Sequence, residues 1–139
     1  MSPRTFGYAR VSTLDQKLET QRAALIEAGV NPIDIHEDKK SGRTLNRDGL
    51  NLVLKLMRKG DTLVVWRFDR LARNARDLLS VTDELSRQGI EFRSIKEGVD
   101  TKTPAGKLML TMIAAMAQFE SDVNSERTKA GMAIGRAHV

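Results

Sequence analysis

Cysteine is absent from the 139 residues. Disulfides, thiolate nucleophiles and zinc–thiolate sites are therefore excluded. Histidine is nearly as scarce: His36 and His138 are the only two, and they stand far apart. That rules out a His-Glu-x-x-His metal site and leaves little for a Ser-His-Asp triad. No Gly-x-x-x-x-Gly-Lys loop occurs, which disfavours a P-loop nucleotide site. No apolar run approaches the length of a membrane span, and no apolar signal core opens the chain. The expectation is a cytoplasmic protein with no membrane partner.

What the chain does have is arginine. The net charge is +5, and arginine outnumbers lysine fourteen to nine. A guanidinium is a planar fork that matches phosphate oxygens and stays protonated. A well-solvated basic surface would give the same totals, so composition tilts only slightly toward nucleic acid. The length suits one domain with a real core.

The organising stretch is Tyr8-Ala9-Arg10-Val11-Ser12-Thr13. A strand-like run from Thr5 to Val11 delivers Ser12 beside Arg10, just before a helical pattern over Asp15 to Glu27. In that pattern Leu18, Gln21, Arg22, Leu25 and Ile26 recur at helical spacing, with Gly29 as a stop. A serine between strand and helix is commonly an N-cap. It is also where open α/β sheets hold ligands.

A short strand follows at Ile33 to Glu37. Asp38 to Arg47 has loop composition and carries Lys39, Lys40, Arg43 and Arg47, either a solvated loop or binding groups on a scaffold. Asp48 can cap a helix through Leu50, Val53 and Met57. Thr62 to Trp66 is continuously apolar, the mark of a strand covered on both faces. It runs into Arg67, Asp69, Arg70 and Arg73. Asp77 to Gln88 reads as a helix with Leu78, Leu79, Val81, Thr82 and Leu85 inward, and Ile90 to Ile95 as a strand. The alternation predicts an α/β fold: a mostly parallel sheet of about four to five strands flanked by helices. The carboxyl ends of parallel strands share one edge. Arg10 and Ser12 should therefore meet the Arg67-to-Arg73 cluster in space.

Thr103 and Pro104 open the last element as cap and first helical residue. Nothing then stops a helix for more than twenty residues. Leu108, Met109, Leu110, Met112, Ile113, Met116 and Phe119 lie on more than one face, and Ala114, Ala115 and Ala117 permit close approach. The reading is a long C-terminal oligomerisation helix, with a core helix of the same domain as the alternative. The expected division is 1–102 for the α/β domain and 103–139 for the interface helix.

Tyr-Ala-Arg-Val-Ser-Thr at 8–13, Asn-Arg-Asp-Gly-Leu at 46–50, Asp-Arg-Leu-Ala-Arg at 69–73 and Glu-Arg-Thr at 126–128 resemble the serine recombinases of the small resolvase/invertase group. The resemblance covers essentially the whole chain. It implies a site-specific DNA recombinase with Ser12 as nucleophile, forming a 5′-phosphoserine link. Arg10, Arg47, Arg70 and Arg73 would surround the phosphate, with Asp69 orienting them. Gln16, Arg43, Glu126, Arg127, Lys129 and Arg136 would lie near the DNA. No metal, ATP or other cofactor is implied. The implied partners are a double-stranded crossover site and copies of the chain, as a homodimer and a synaptic homotetramer built through helix 103–130. Family members normally continue into a small helix-turn-helix domain, so the expectation is a truncated catalytic domain.

Departures from the pattern are Ala72, where glycine is frequent, and Ser121, Asp122 and Asn124, where relatives often carry arginine or apolar residues. Two other classes stay open. An idle oligomerisation and scaffolding module would have no need for Ser12 beside this arginine set. An unrelated phosphate-binding α/β domain would lack its usual loop. Asp69 is a candidate base by type, with a salt-bridged structural role as the alternative.

Overall fold

A computed structural model describes residues 3–12, 18–41, 44–45 and 47–137, excluding the side chains of 12, 40–41, 44–45 and 130–137. Four strands form the parallel centre of the sheet: β1 (Thr5–Ser12), β2 (Ile35–Ser41), β4 (Thr62–Val65) and β5 (Glu91–Ser94). Two short antiparallel strands, β3 (Thr44–Leu45) and β6 (Val99–Asp100), extend its edges, giving the order β3-β2-β1-β4-β5-β6. The mostly parallel sheet, its helices and the long last helix agree with the sequence pattern. The two-residue edge strands are too short to carry a period of their own.

Helix α1 (Leu18–Glu27) covers one face of the sheet. There Leu25 packs with Ala9, Val30, Ile35 and Val64. Helices α2 (Asp48–Leu56), α3 (Ala75–Arg87) and α4 (Pro104–Ala137) supply the other layer. Phe6, Tyr8, Leu63, Val65 and Phe92 meet Leu50, Val53, Leu78 and Leu85 in that core. Alternation along β1 thus sends Phe6 and Tyr8 to one face and Ala9 to the other. All four residues of β4 are buried, as its unbroken apolar run requires.

The topology fixes where a ligand can sit. From β1 the chain steps to β2 on one side, then crosses back to β4 on the other. Such a reversal opens a crevice at the carboxyl ends of the two strands that flank it. Here that crevice lies between the ends of β1 and β4.

Three boundaries differ from the sequence reading. β2 runs on to Ser41, because residues 38–40 pair with Arg10, Val11 and Ser12 of β1. Asp38 is therefore buried in a strand rather than solvated in a loop. Pro32–Asp34 forms a short 3₁₀ turn, capped by the Asn31 side chain, which accepts from Ile33 N–H at 3.2 Å. α2 is preceded by Arg47, which makes no side-chain cap, and Asp48 is already helical. Asp38 does the capping from outside, accepting from the N–H groups of Gly49 at 2.7 Å and Leu50 at 3.0 Å. Residues 15–17 of the first expected helix, and residues 42–43 and 46, lie outside the described residues.

α4 spans 34 residues, about 50 Å at the standard rise. Its cap is Thr103, whose hydroxyl accepts from Gly106 N–H at 3.0 Å. Leu110 and Ile113 pack on the core. Met109, Met112, Met116 and Phe119 are exposed, Phe119 by 68%. Their 3-4-3 spacing is a heptad seam. No helix among the described residues is long and apolar enough to cross a membrane.

Gly106 seats this helix on the sheet. A Cβ there would stand 1.9 Å from the carbonyl oxygen of Asp100, so no side chain fits without moving the backbone of β6. Gly106→Ala is expected to destabilise the fold by about 1–3 kcal/mol through overpacking. Chemical denaturation checks this, and an unchanged midpoint would contradict the docking described.

Candidate active site

The site starts where β1 outruns β4. Their pairing stops at Tyr8 opposite Val65, while β1 continues to Ser12 with β2 alone. The peptide groups of Arg10 consequently lack a strand on one side. Side chains replace it. The buried Gln21 amide of α1 accepts from Arg10 N–H at 3.3 Å and donates to Arg10 C=O at 3.1 Å. The same carbonyl accepts from Arg70 Nη1 at 3.1 Å.

After β4 the chain turns sharply through Phe68–Arg70 and is pinned by the buried Leu71 and Ala72. The carbonyls of Asp69 and Ala72 accept from Arg10 Nη2, the latter at 3.5 Å. Arg10 thus grips the main chain of this turn, and Arg70 grips the main chain at Arg10. The expected meeting of Arg10 with the Arg67-to-Arg73 segment is present in this reciprocal form. Asp69 takes part mainly through its backbone. Its exposed carboxylate stands 3.6 Å from Arg70 Nε, beyond hydrogen-bond range. Trp66 lies beneath two guanidiniums, 4.5 Å from that of Arg67 and 5.6 Å from that of Arg70.

Arg47 enters from the start of α2. Its Nη2 is 2.5 Å from Asp77 Oδ2, and its Nη1 is 3.5 Å from Oδ1. Asp77 sits in the first turn of α3. It donates its N–H to Asn74 Oδ1 at 2.8 Å, while its Oδ2 accepts from Arg73 N–H at 3.0 Å. The pair is a variant of the capping box, formed with asparagine and aspartate, in which the returning bond reaches the residue before the cap. Burial raises the Asp77 pKa, but hydrogen bonds from Arg47 and the Arg73 backbone outweigh it and hold the carboxyl below its ordinary range.

The cations crowd one another. Burial pulls Arg10 below the usual guanidinium range, and the charges of Arg47 and Arg70 pull the same way against Tyr8 and Asp69. Tyr8 is pushed far up, first by burial and then by its 2.6 Å hydrogen bond to Asp38. It stays a neutral phenol wedged below the arginines. Among the described residues, Arg10 Nη1, Arg47 Nε and Arg67 Nε are buried without a hydrogen-bond partner. Leaving a buried donor unmet costs about 1–3 kcal/mol, more for a charged group. Several such donors on neighbouring cations make a seat for an anion with multiple acceptor oxygens.

Ser12 closes β1 opposite Lys40, two residues past Arg10. Its side chain, like residues Gln16 and Arg43, lies outside the described residues. Arg73 is exposed just before α3. Glu126, Arg127 and Lys129 are exposed on α4 and, within one chain, are not joined to the Arg10 cluster by any hydrogen bond among the described residues. The side chain of Arg136 lies outside them.

Three participants escaped the sequence reading: Asp77, Asp38 and Gln21. Asn74-x-x-Asp77 was a visible capping pattern. Gln21 was visible as an amide on an otherwise apolar stripe. Asp38 offered no local signal, because its partners lie in β1 and α2.

The model of the family described as "Resolvase, N terminal domain" matches residues 5–138. The chain is 46% identical over 130 residues to serine recombinase gin of Escherichia phage Mu, covering 94% of this chain and 66% of that protein. It is 43% identical over 133 residues to DNA-invertase hin of Salmonella typhimurium, covering 96% and 69%. The chain thus spans about two thirds of the length of these curated relatives. The crystal structure of the N-terminal catalytic domain of TP901-1 integrase superposes with a TM-score of 0.71 at 31% identity, over 86% of this chain and 98% of that one. With the match running along almost its whole length and the topology shared, this chain belongs to the resolvase N-terminal domain family.

Proposed function

We propose that the chain is the catalytic part of a site-specific DNA recombinase of the resolvase/invertase type. The observation that carries this reading is the convergence of Arg10, Arg47 and Arg70 on the crevice where β1 ends in Ser12. In this reading Ser12 Oγ attacks a scissile phosphodiester. The serine proton leaves to a base, the 3′-oxygen departs as a hydroxyl, and a 5′-phosphoserine link remains. Attack by a 3′-hydroxyl on that link restores DNA and frees the serine. The diester energy is conserved, so joining requires no ATP.

The chemistry suits these residues. Charge builds on non-bridging oxygens in the transition state, and preorganised donors stabilise it. Arg10, Arg47, Arg70 and Arg73 supply them, each worth on the order of 3–4 kcal/mol by analogy with oxyanion donors. Asp69 contributes its backbone carbonyl to holding Arg10. Gln16 and Arg43 are assigned to the neighbourhood of the DNA. Glu126, Arg127, Lys129 and Arg136 are assigned to its path along α4, as parts of a partner-completed surface.

The division into 1–102 and 103–139 follows from the same reading, and the cell compartment is the cytoplasm, where the DNA is. The exposed seam of Met109, Met112, Met116 and Phe119 is assigned to pairing with a second copy, and pairs of dimers to the synaptic tetramer. Each such side chain, once covered, offers about 1.5–3 kcal/mol before the costs of association.

A nicked crossover duplex should trap a denaturation-resistant protein–DNA adduct that Ser12→Ala abolishes. Arg70→Lys, a point charge in place of a fork, should slow its formation by about 10²–10³. Adduct formation that survives Ser12→Ala would overturn the nucleophile assignment. In sedimentation, Met112→Lys with Met116→Lys should shift the protein toward monomer, and an unchanged assembly would refute the seam as an interface.

A further inference from the structure

Arg47 is held at both ends. Its main chain precedes α2, whose first N–H groups are tied to the buried Asp38, itself bound by Tyr8. Its Nη atoms are tied to Asp77. What remains is the Nε edge, buried and without a partner among the described residues, on a group close enough to Arg10 to act on its charge. Asp77 cannot wander, since the capping box of α3 fixes its own N–H and one of its oxygens. A long arginine side chain loses much rotamer freedom on being ordered. Here the carboxylate meets that cost before any substrate arrives.

We propose that Asp77 is a positioning residue: it clasps the far end of the Arg47 guanidinium so that this cation is already in place when a phosphate arrives at Arg10. The proposal rests on the recombinase reading for the identity of that phosphate. Asp77 touches no reacting atom; it acts through Arg47. Because its carboxyl is held below the ordinary range, the clasp is charged throughout neutral pH. The same carboxylate also ties the main chain of Arg73 to the start of α3. One side chain therefore sets the spacing between two of the arginines assigned to the phosphate.

Two measurements separate this from a merely structural role. Asp77→Asn keeps an oxygen for the Arg73 N–H but loses the charge that holds Arg47. Asn74→Ala weakens the same cap without touching Arg47. Inorganic phosphate is titrated into each protein while arginine Nε–H resonances are followed by NMR. In the wild type, Arg10 and Arg47 should shift together. In Asp77→Asn only Arg10 should keep its response, and Asn74→Ala should behave as wild type. This arm does not depend on covalent chemistry, so it decides the clasp even if no adduct is ever formed. With the nicked duplex, Asp77→Asn should slow adduct formation about 10- to 100-fold. In an Arg47→Ala background it should cause no further loss. The proposal is overturned if Asp77→Asn leaves the Arg47 response intact, if Asn74→Ala matches its effects, or if Asp77→Asn speeds adduct formation.

Discussion

The charges of Arg47 and Arg70 bear on Arg10, and the carboxyl edge of the sheet is arranged to hold all three side chains in place. Arg10 cannot turn away without giving up the carbonyls of Asp69 and Ala72. Arg70 is bound to the carbonyl of Arg10, and Arg47 is clasped by Asp77. Every one of these bonds crosses between chain segments that are far apart in sequence. The repulsion is thus borne by the folding free energy of the whole domain, not by any local turn. A like-charge cluster stored in this way would be relieved by an anion, which is what the proposed phosphate supplies.

The sheet topology makes this economical. β1 and β4 flank the point where the winding reverses, and β1 extends past its neighbour. Its last residues therefore have one edge open. A third strand there would have filled the crevice with backbone. Instead, Gln21 and Arg70 satisfy the peptide of Arg10 and leave room above. Below the crevice the buried Tyr8–Asp38 pair joins β1, β2 and α2 through a carboxyl group that also accepts from Gly49 and Leu50, as a buried polar group requires. α4 is built differently. One stripe rests on α3 and β6, while the heptad seam is exposed among the described residues.

Much of this was readable from residue order, because it depends on local rules. Continuous apolarity marked Thr62 to Trp66 as a central strand, Thr103-Pro104 marked the start of α4, and the alternation of elements placed Arg10 and the Arg67-to-Arg73 segment on one edge. What escaped was non-local. Lys39 and Lys40 look like loop residues, and only pairing with β1 makes them strand. Asp48 looked like the cap of α2, yet the cap comes from Asp38 on a different strand. Asp69 read as a carboxylate beside the arginines, and it stands 3.6 Å from Arg70 Nε. Its carbonyl also meets Arg10, and the Asp77 carboxylate that binds Arg47 had no signal of its own for that contact. Which of several aspartates meets which of fourteen arginines depends on crossing distances that no local pattern encodes.

The most direct measurement of the central claim is the position of a bound phosphate mimic. Crystals of the chain soaked in tungstate would report it through anomalous scattering, with no assumption about catalysis. The account predicts the strongest site at the carboxyl ends of β1 and β4, within hydrogen-bond reach of Arg10 and Arg47 and beside Ser12. Tungstate found only elsewhere on the basic surface, with that crevice empty at saturating concentration, would contradict it.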